Sequence, residues 1–165
     1  MDVNDSVEIK ASDREIVIMR EFDAPRELLW EAWTNPKLVA QWWGPDGFTT
    51  EIETMDVRVG GVWRLTMIGP DGKRYPNASV FQEVVKPERL VFRHGGGKKG
   101  ESANFDACWT FEDLGGRTRV TIRMICATKE ERDLIVKTYG AIEGGKQCLC
   151  NFAKFVAKLQ AEGSR

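Results

Sequence analysis

Residues 139–160 read YGAIEGGKQCLCNFAKFVAKLQ. Leu149, Phe152, Val156 and Leu159 follow one another in steps of three and four. Ile142 and Cys148 extend them into one apolar stripe. The spacing predicts a helix over Tyr139–Gln160, the longest helical pattern in the chain. Lys146, Lys154, Lys158 and Glu162 lie off the stripe. Gly144-Gly145 interrupts the first turns, at about 1 kcal/mol per glycine relative to alanine. A helix with one long apolar stripe needs a surface to bury it against.

The sequence before it supplies that surface. REIVIMREF (14–22) is β-branched and apolar and reads as a first strand. Asp23 stands as an N-cap ahead of Pro25 and the helical segment ELLWEAWT. Asn35-Pro36 begins a second, shorter helix that carries Leu38, Val39, Trp42 and Trp43 and stops at Gly44-Pro45. From Phe48 to Cys126, six short alternating runs are separated by turn signals such as Gly60-Gly61, Pro70-Asp71-Gly72 and Leu114-Gly115-Gly116. Trp63, Leu65 and Met67 share one face of their strand. Phe105, Ala107, Trp109 and Phe111 share one face of theirs. The phase slips by one between Ile52 and Met55, which predicts a β-bulge. The sum is an α+β chain: seven antiparallel strands, two short helices after the first, and a sheet curled around the long final helix. Residues 1–12 are polar and aperiodic and read as a loose tail, leaving a single domain over 13–162.

Composition narrows the chemistry. The chain has 165 residues, 24 Lys and Arg against 25 Asp and Glu, six Trp and one His. Near-neutral charge argues against a nucleic-acid partner. A lone His94 excludes sites built on two histidines. Cys108, Cys126, Cys148 and Cys150 match no zinc spacing, so neither metal nor cofactor is expected. No apolar run approaches the roughly 18 residues of a membrane span, and the first residues carry no secretory pattern. The expected compartment is the cytoplasm.

Catalytic motifs are sparse. GGGKKG (95–100) matches GxGxxG, but a strand follows it rather than a helix, so it reads as a hairpin loop. No GxSxG occurs, and nothing marks His94 as a base for Ser79. Glu143 opens the long helix. It reads either as a solvated carboxylate complementing the helix dipole or, if buried, as a general acid–base. The six tryptophans are the richer signal, because ligand pockets are apolar and aromatic with few polar anchors.

Several segments together resemble one family: REFDAP (20–25), LWEAWTNP (29–36), WWGPDGF (42–48), DVRVGGVW (56–63), GPDG (69–72) and PERLVF (87–92). The chain is similar over residues 14–160 to the homologues of the activator of heat-shock-protein-90 ATPase, C-terminal-domain type. These lie in the START-like superfamily with birch-pollen allergen and the polyketide cyclases (SRPBCC). The resemblance implies a helix-grip fold with a cavity between sheet and terminal helix. Family members carry Trp after the Gly that opens this helix, where this chain has Gly145, which suggests an enlarged cavity bordered by Trp109, Ile142 and Leu149.

The resulting expectation is a binder of a small hydrophobic or aromatic molecule, without catalysis. Its site would draw Trp43, Phe48, Met55, Trp63 and Leu65 from the first half of the chain. Ala107, Trp109, Ile142, Gly145, Leu149 and Phe152 would complete it. The alternatives are a cyclase- or hydrolase-like enzyme using Glu143, and a chaperone-partner module.

Overall fold

The computed structural model describes residues 7–95, 105–137 and 140–163. The chain runs β1 (Val7–Ala11), β2 (Glu15–Phe22), α1 (Arg26–Thr34), α2 (Pro36–Val39), β3 (Thr49–Met55) and β4 (Val62–Ile68). It continues with β5 (Arg74–Val85), β6 (Arg89–Gly95), β7 (Phe105–Asp113), β8 (Thr118–Ile125), α3 (Lys129–Lys137) and α4 (Ala141–Gly163). All eight strands form one antiparallel sheet in the order β1-β2-β8-β7-β6-β5-β4-β3. The sheet is curved and unclosed. The strands from β3 to β8 pair in sequence order, as short turns between alternating runs require.

The expected count of seven strands is one short. Residues 7–11, read as part of a tail, pair with β2 from Val7↔Arg20 to Ala11↔Ile16. This edge strand carries Glu8 and Lys10 and is mostly exposed. Charged side chains on an edge strand protect a sheet against further pairing, and the alternation of Val7, Ile9 and Ala11 with them is too short to stand out beside a polar start. Residues 1–6 of the expected tail, and most of the 95–100 hairpin loop, lie outside the described residues.

Two helix boundaries also differ. Pro25, not Asp23, occupies the N-cap of α1, in extended conformation and with no side-chain cap. Proline disfavours helix at the residue before it, so the helix cannot begin earlier. α2 ends at Val39 and leaves Trp42 and Trp43 in the following turn. The bulge expected between Ile52 and Met55 is present, as a register shift between Ile52 and Thr54. It returns Met55 to the face that carries Ile52 and Trp63.

The core lies between the sheet's inner face, α1 and α4. Trp33 is fully buried at its centre, with the rings of Trp43, Trp63, Phe81, Phe92 and Trp109 at centroid distances of 5.1–6.3 Å. Tilted and edge-to-face pairs at this range are the favourable aromatic geometries. Ile16, Ile18, Arg20 and Phe22 alternate inward from β2. Arg20 is only 4% exposed, with its guanidinium 5.8 Å from the Phe22 ring centroid.

α4 is held from both sides. Phe152 stacks on Trp42 at 4.0 Å and tilts against Phe22 at 5.1 Å. The Gly44 N–H donates to Cys148 Sγ at 3.5 Å, Asn151 Nδ2 donates to the Gly44 carbonyl at 3.0 Å, and the Asp46 N–H donates to Gln147 Oε1 at 3.0 Å. Gly44 sits at φ +108°, a backbone region that favours glycine, and an added Cβ would lie 3.0 Å from Met67 Cε. WWGP therefore forms a clamp that fixes the helix against the sheet.

The space expected at Gly145 is occupied. A Cβ added there would fall 2.6 Å from Ile18 Cδ1 and 3.7 Å from Met124 Cε. Helix and sheet have closed together over the missing side chain, so the glycine marks a close approach rather than an enlarged cavity.

Candidate functional site

Register places one row of side chains across the inner face. Met55 pairs with Trp63, Trp63 with Ser79, Ser79 with His94, and His94 with Phe105. Directly paired residues in antiparallel strands point to the same side. Trp63 faces inward, against Trp33 at 5.1 Å, so the whole row does. The neighbouring row, one step along the strands towards the C-terminal end of β4, holds Ile52, Leu65 and Asn77. On the other side lie Phe81, Phe92 and Ala107.

This patch is unlike the rest of the core. Met55, Asn77, His94 and Phe105 keep intermediate exposure although they face inward. His94 Nε2 lies 2.8 Å from Asn77 Oδ1, and the imidazole stacks on Phe105 at 4.7 Å. Ser79, between Trp63 and His94, is 4% exposed. The indole N–H groups of Trp33 and Trp63 are buried with no acceptor among the described residues, whereas Trp42 Nε1 donates to the Ala32 carbonyl at 3.0 Å.

The residues named from sequence divide into three groups. Trp63, Leu65, Ala107 and Trp109 line the inner face and are buried, with Met55 at its margin. Leu149 and Phe152 are buried in the α4 seam, with Gly145 against Ile18 and Ile142 half-buried near the start of the helix. Trp43 bridges regions. Its ring lies 4.8 Å from Trp63 and 5.7 Å from Trp109. With Phe48 it also borders an open concavity of about 370 Å³ beside Asn151, Lys154 and Phe155. Glu143 stays exposed on the first turn of α4, where its Oε2 accepts from Gln147 Nε2 at 3.4 Å. That is the setting of a solvated carboxylate at a helix N-terminus.

Ser79, Asn77 and His94 were not joined by sequence reading. Their only signal is alternation, which puts Asn77, Ser79 and Phe81 on one side of β5. Which residues of β4 and β6 stand beside them depends on register.

The outer face is chemically different. Val17, Met19 and Cys108 border a second open concavity of about 390 Å³. It is crossed by ion pairs such as Arg123–Glu15 at 3.3 Å and Arg119–Glu112 at 3.1 Å. Such exposed pairs contribute about 0–1 kcal/mol each. Burial raises the Cys108 thiol, with Arg89 and Arg123 pulling it back, and burial raises Cys126 as well. Cys148 is pushed up to about 12 by burial, partly offset by the Gly44 N–H. None of these three thiols is activated as a nucleophile. Among the described residues no group of three His, Cys, Asp or Glu side chains could hold a metal ion, and no helix is long and apolar enough to cross a membrane.

An unclosed antiparallel sheet gripping a long terminal helix, with aromatic side chains turned inward, defines a START-like helix-grip protein. The chain belongs to the family described as activator of Hsp90 ATPase homolog 1-like protein, whose profile matches residues 23–157. A solution structure of a protein from Arthrobacter aurescens is 26% identical, with a TM-score of 0.86 over 92% of this chain and 91% of that one. A crystal structure from Mycobacterium smegmatis shares 24% identity, with a TM-score of 0.83 over 93% and 99% of the two chains. The AHSA1 protein of Silicibacter pomeroyi shares 23%, with a TM-score of 0.71 over 90% and 99%. No functionally curated protein matches the chain.

Proposed function

We propose that this protein binds a small hydrophobic or aromatic molecule between the inner face of its sheet and α4, without transforming it. One observation carries the reading. The row from Met55 to Phe105 faces inward, yet Met55, His94 and Phe105 remain half-exposed. On the same face Trp63, Leu65, Phe81, Phe92, Ala107 and Trp109 are sealed. Apolar surface left partly wet inside a fold is where ligand burial adds most free energy, at about 25 cal/mol per Å² before association costs. The family's fold commonly houses hydrophobic ligands. The large apolar side chains exposed on the outside, by contrast, are spread over β1, the 56–61 turn, β5 and α3. That scatter favours a ligand over a chaperone-docking patch.

The test is a titration with naphthalene-sized apolar probes, followed by intrinsic tryptophan emission and by melting temperature. Binding should shift emission, because Trp43, Trp63 and Trp109 ring the site. It should also stabilise the fold by about 2.7 kcal/mol at a hundredfold excess over Kd. Phe105→Arg should weaken binding, while Phe155→Ala, at the concavity beside α4, should not. A panel that moves neither emission nor melting temperature refutes the reading.

A further inference from the structure

The two unmet indole donors separate on inspection. Trp33 is enclosed by five aromatic rings, whose π faces are the acceptors on offer at that position. Trp63 also meets four aromatic rings, those of Trp33, Trp43, Phe81 and Phe92 at 4.8–6.2 Å, and differs instead in its place on the sheet. It is 2% exposed and its Nε1 lacks an acceptor, but it stands directly across from Ser79, in the row that continues to His94. A buried donor left unpaired costs about 1–3 kcal/mol, and native folds rarely leave one without a purpose. Here the unpaired N–H belongs to the row that remains partly open.

The charge content of the patch is equally specific. The row and its two neighbours hold Met55, Trp63, Ser79, His94 and Phe105, then Ile52, Leu65 and Asn77, then Phe81, Phe92 and Ala107. None is an Arg, Lys, Asp or Glu. Arg20, buried and turned inward, stands on β2, separated from the patch by β8 and in register with Val120 and Phe111 rather than with any of these three rows. Transferring an unpaired carboxylate into such surroundings is strongly unfavourable, while a neutral acceptor pays only a dipole's desolvation and regains it on meeting a donor.

Resting on the binding reading above, we infer that the ligand is an uncharged, flat apolar molecule bearing a carbonyl oxygen. That oxygen accepts from Trp63 Nε1, with the Ser79 hydroxyl as second donor. Asn77 holds His94 beside them, and the His94–Phe105 stack forms the wall at the opposite end of the row from Met55. The aromatic surface supplies affinity, and the indole–hydroxyl pair supplies orientation. That division is the usual one in small-molecule sites.

Two probes of nearly identical shape test this: methyl naphthyl ketone, and isopropenylnaphthalene, in which CH2 replaces the carbonyl oxygen. The hydrocarbon is the more hydrophobic, so partitioning alone favours it. The expected result is that the ketone binds about five- to tenfold more tightly, the ratio that one or two net hydrogen bonds provide. Trp63→Phe should bring that ratio close to one, and Ser79→Ala should reduce it in part. If Trp63→Phe fails to fold, the Ser79→Ala ratio carries the test. Naphthoate should bind more weakly than the ketone. Equal binding of ketone and hydrocarbon by the native protein overturns the anchor while leaving an apolar site. A ratio unchanged in both variants overturns its assignment to Trp63 and Ser79. Tighter binding of naphthoate overturns the uncharged class. Failure of every probe overturns the binding reading itself and this inference with it.

Discussion

The seam under α4 and the inner face between β4 and β7 are built from the same materials and finished differently. At the seam, Trp42 stacks on Phe152 and its indole N–H meets the Ala32 carbonyl. Gly44 is bonded through both its N–H and its carbonyl, and Gly145 lets the helix down onto Ile18. Every polar group named there has a partner. Across the sheet, Trp63 has none for its indole, and the half-buried Asn77, His94 and Phe105 face inward beside it. One region holds the fold together, and the other keeps an unpaired indole donor and half-exposed apolar surface.

The comparison breaks most visibly at Phe152. Phe152→Ala removes a fully buried ring wedged between Trp42 and Phe22, and should cost about 3–5 kcal/mol in chemical denaturation. A loss below about 1 kcal/mol would mean that the seam is loosely packed.

A second effect tests whether the seam is dry. Burial raises the Cys148 thiol from its ordinary value of 9.0 to about 12. A group whose pKa is raised on folding contributes stability that is intact below the unfolded value and is lost as pH climbs through the folded one. Between pH 8 and pH 10, ionisation of this thiol in the unfolded chain should remove about 1.4 kcal/mol. Cys148→Ala should lose correspondingly less over that interval, since Cys108 and Cys126 shift in the same direction and remain in both proteins. Parallel pH profiles for the two proteins would show water reaching the thiol.

The third effect is a difference between two tryptophans without ligand. Trp42→Phe strands the Ala32 carbonyl, while Trp63→Phe strands nothing. Trp42→Phe should therefore be costlier by about 1 kcal/mol in urea denaturation. An equal or larger cost at Trp63 would show its N–H to be satisfied already.

Much of this architecture is legible in the chain. Alternation found β2 to β8, and the phase slip at Ile52–Met55 found the bulge, because side chains alternate with period two and an inserted residue leaves a trace. β1 escaped because its alternation spans only five residues, follows a polar start and is mostly exposed. Gly145 was misjudged for a deeper reason. An absent side chain is consistent with a hole or with close approach, and only the position of Ile18 distinguishes them. The candidate site was half visible: Trp63, Leu65, Ala107 and Trp109 announced an apolar wall, but its polar members did not stand out from other turn and strand residues.

The sequence by itself determined the order of the elements from β2 to β8, the stripe on α4, the inward faces of those strands and the family, since all of these are written in local spacing and segment identity. Tertiary structure decided which side chains meet. Cross-strand register set Trp63 beside Ser79 and Ser79 beside His94, residues fifteen or more positions apart in sequence. Helix-to-sheet distance closed the space at Gly145. Whether a buried N–H finds an acceptor depends on every neighbour at once, and no spacing rule along one chain encodes it.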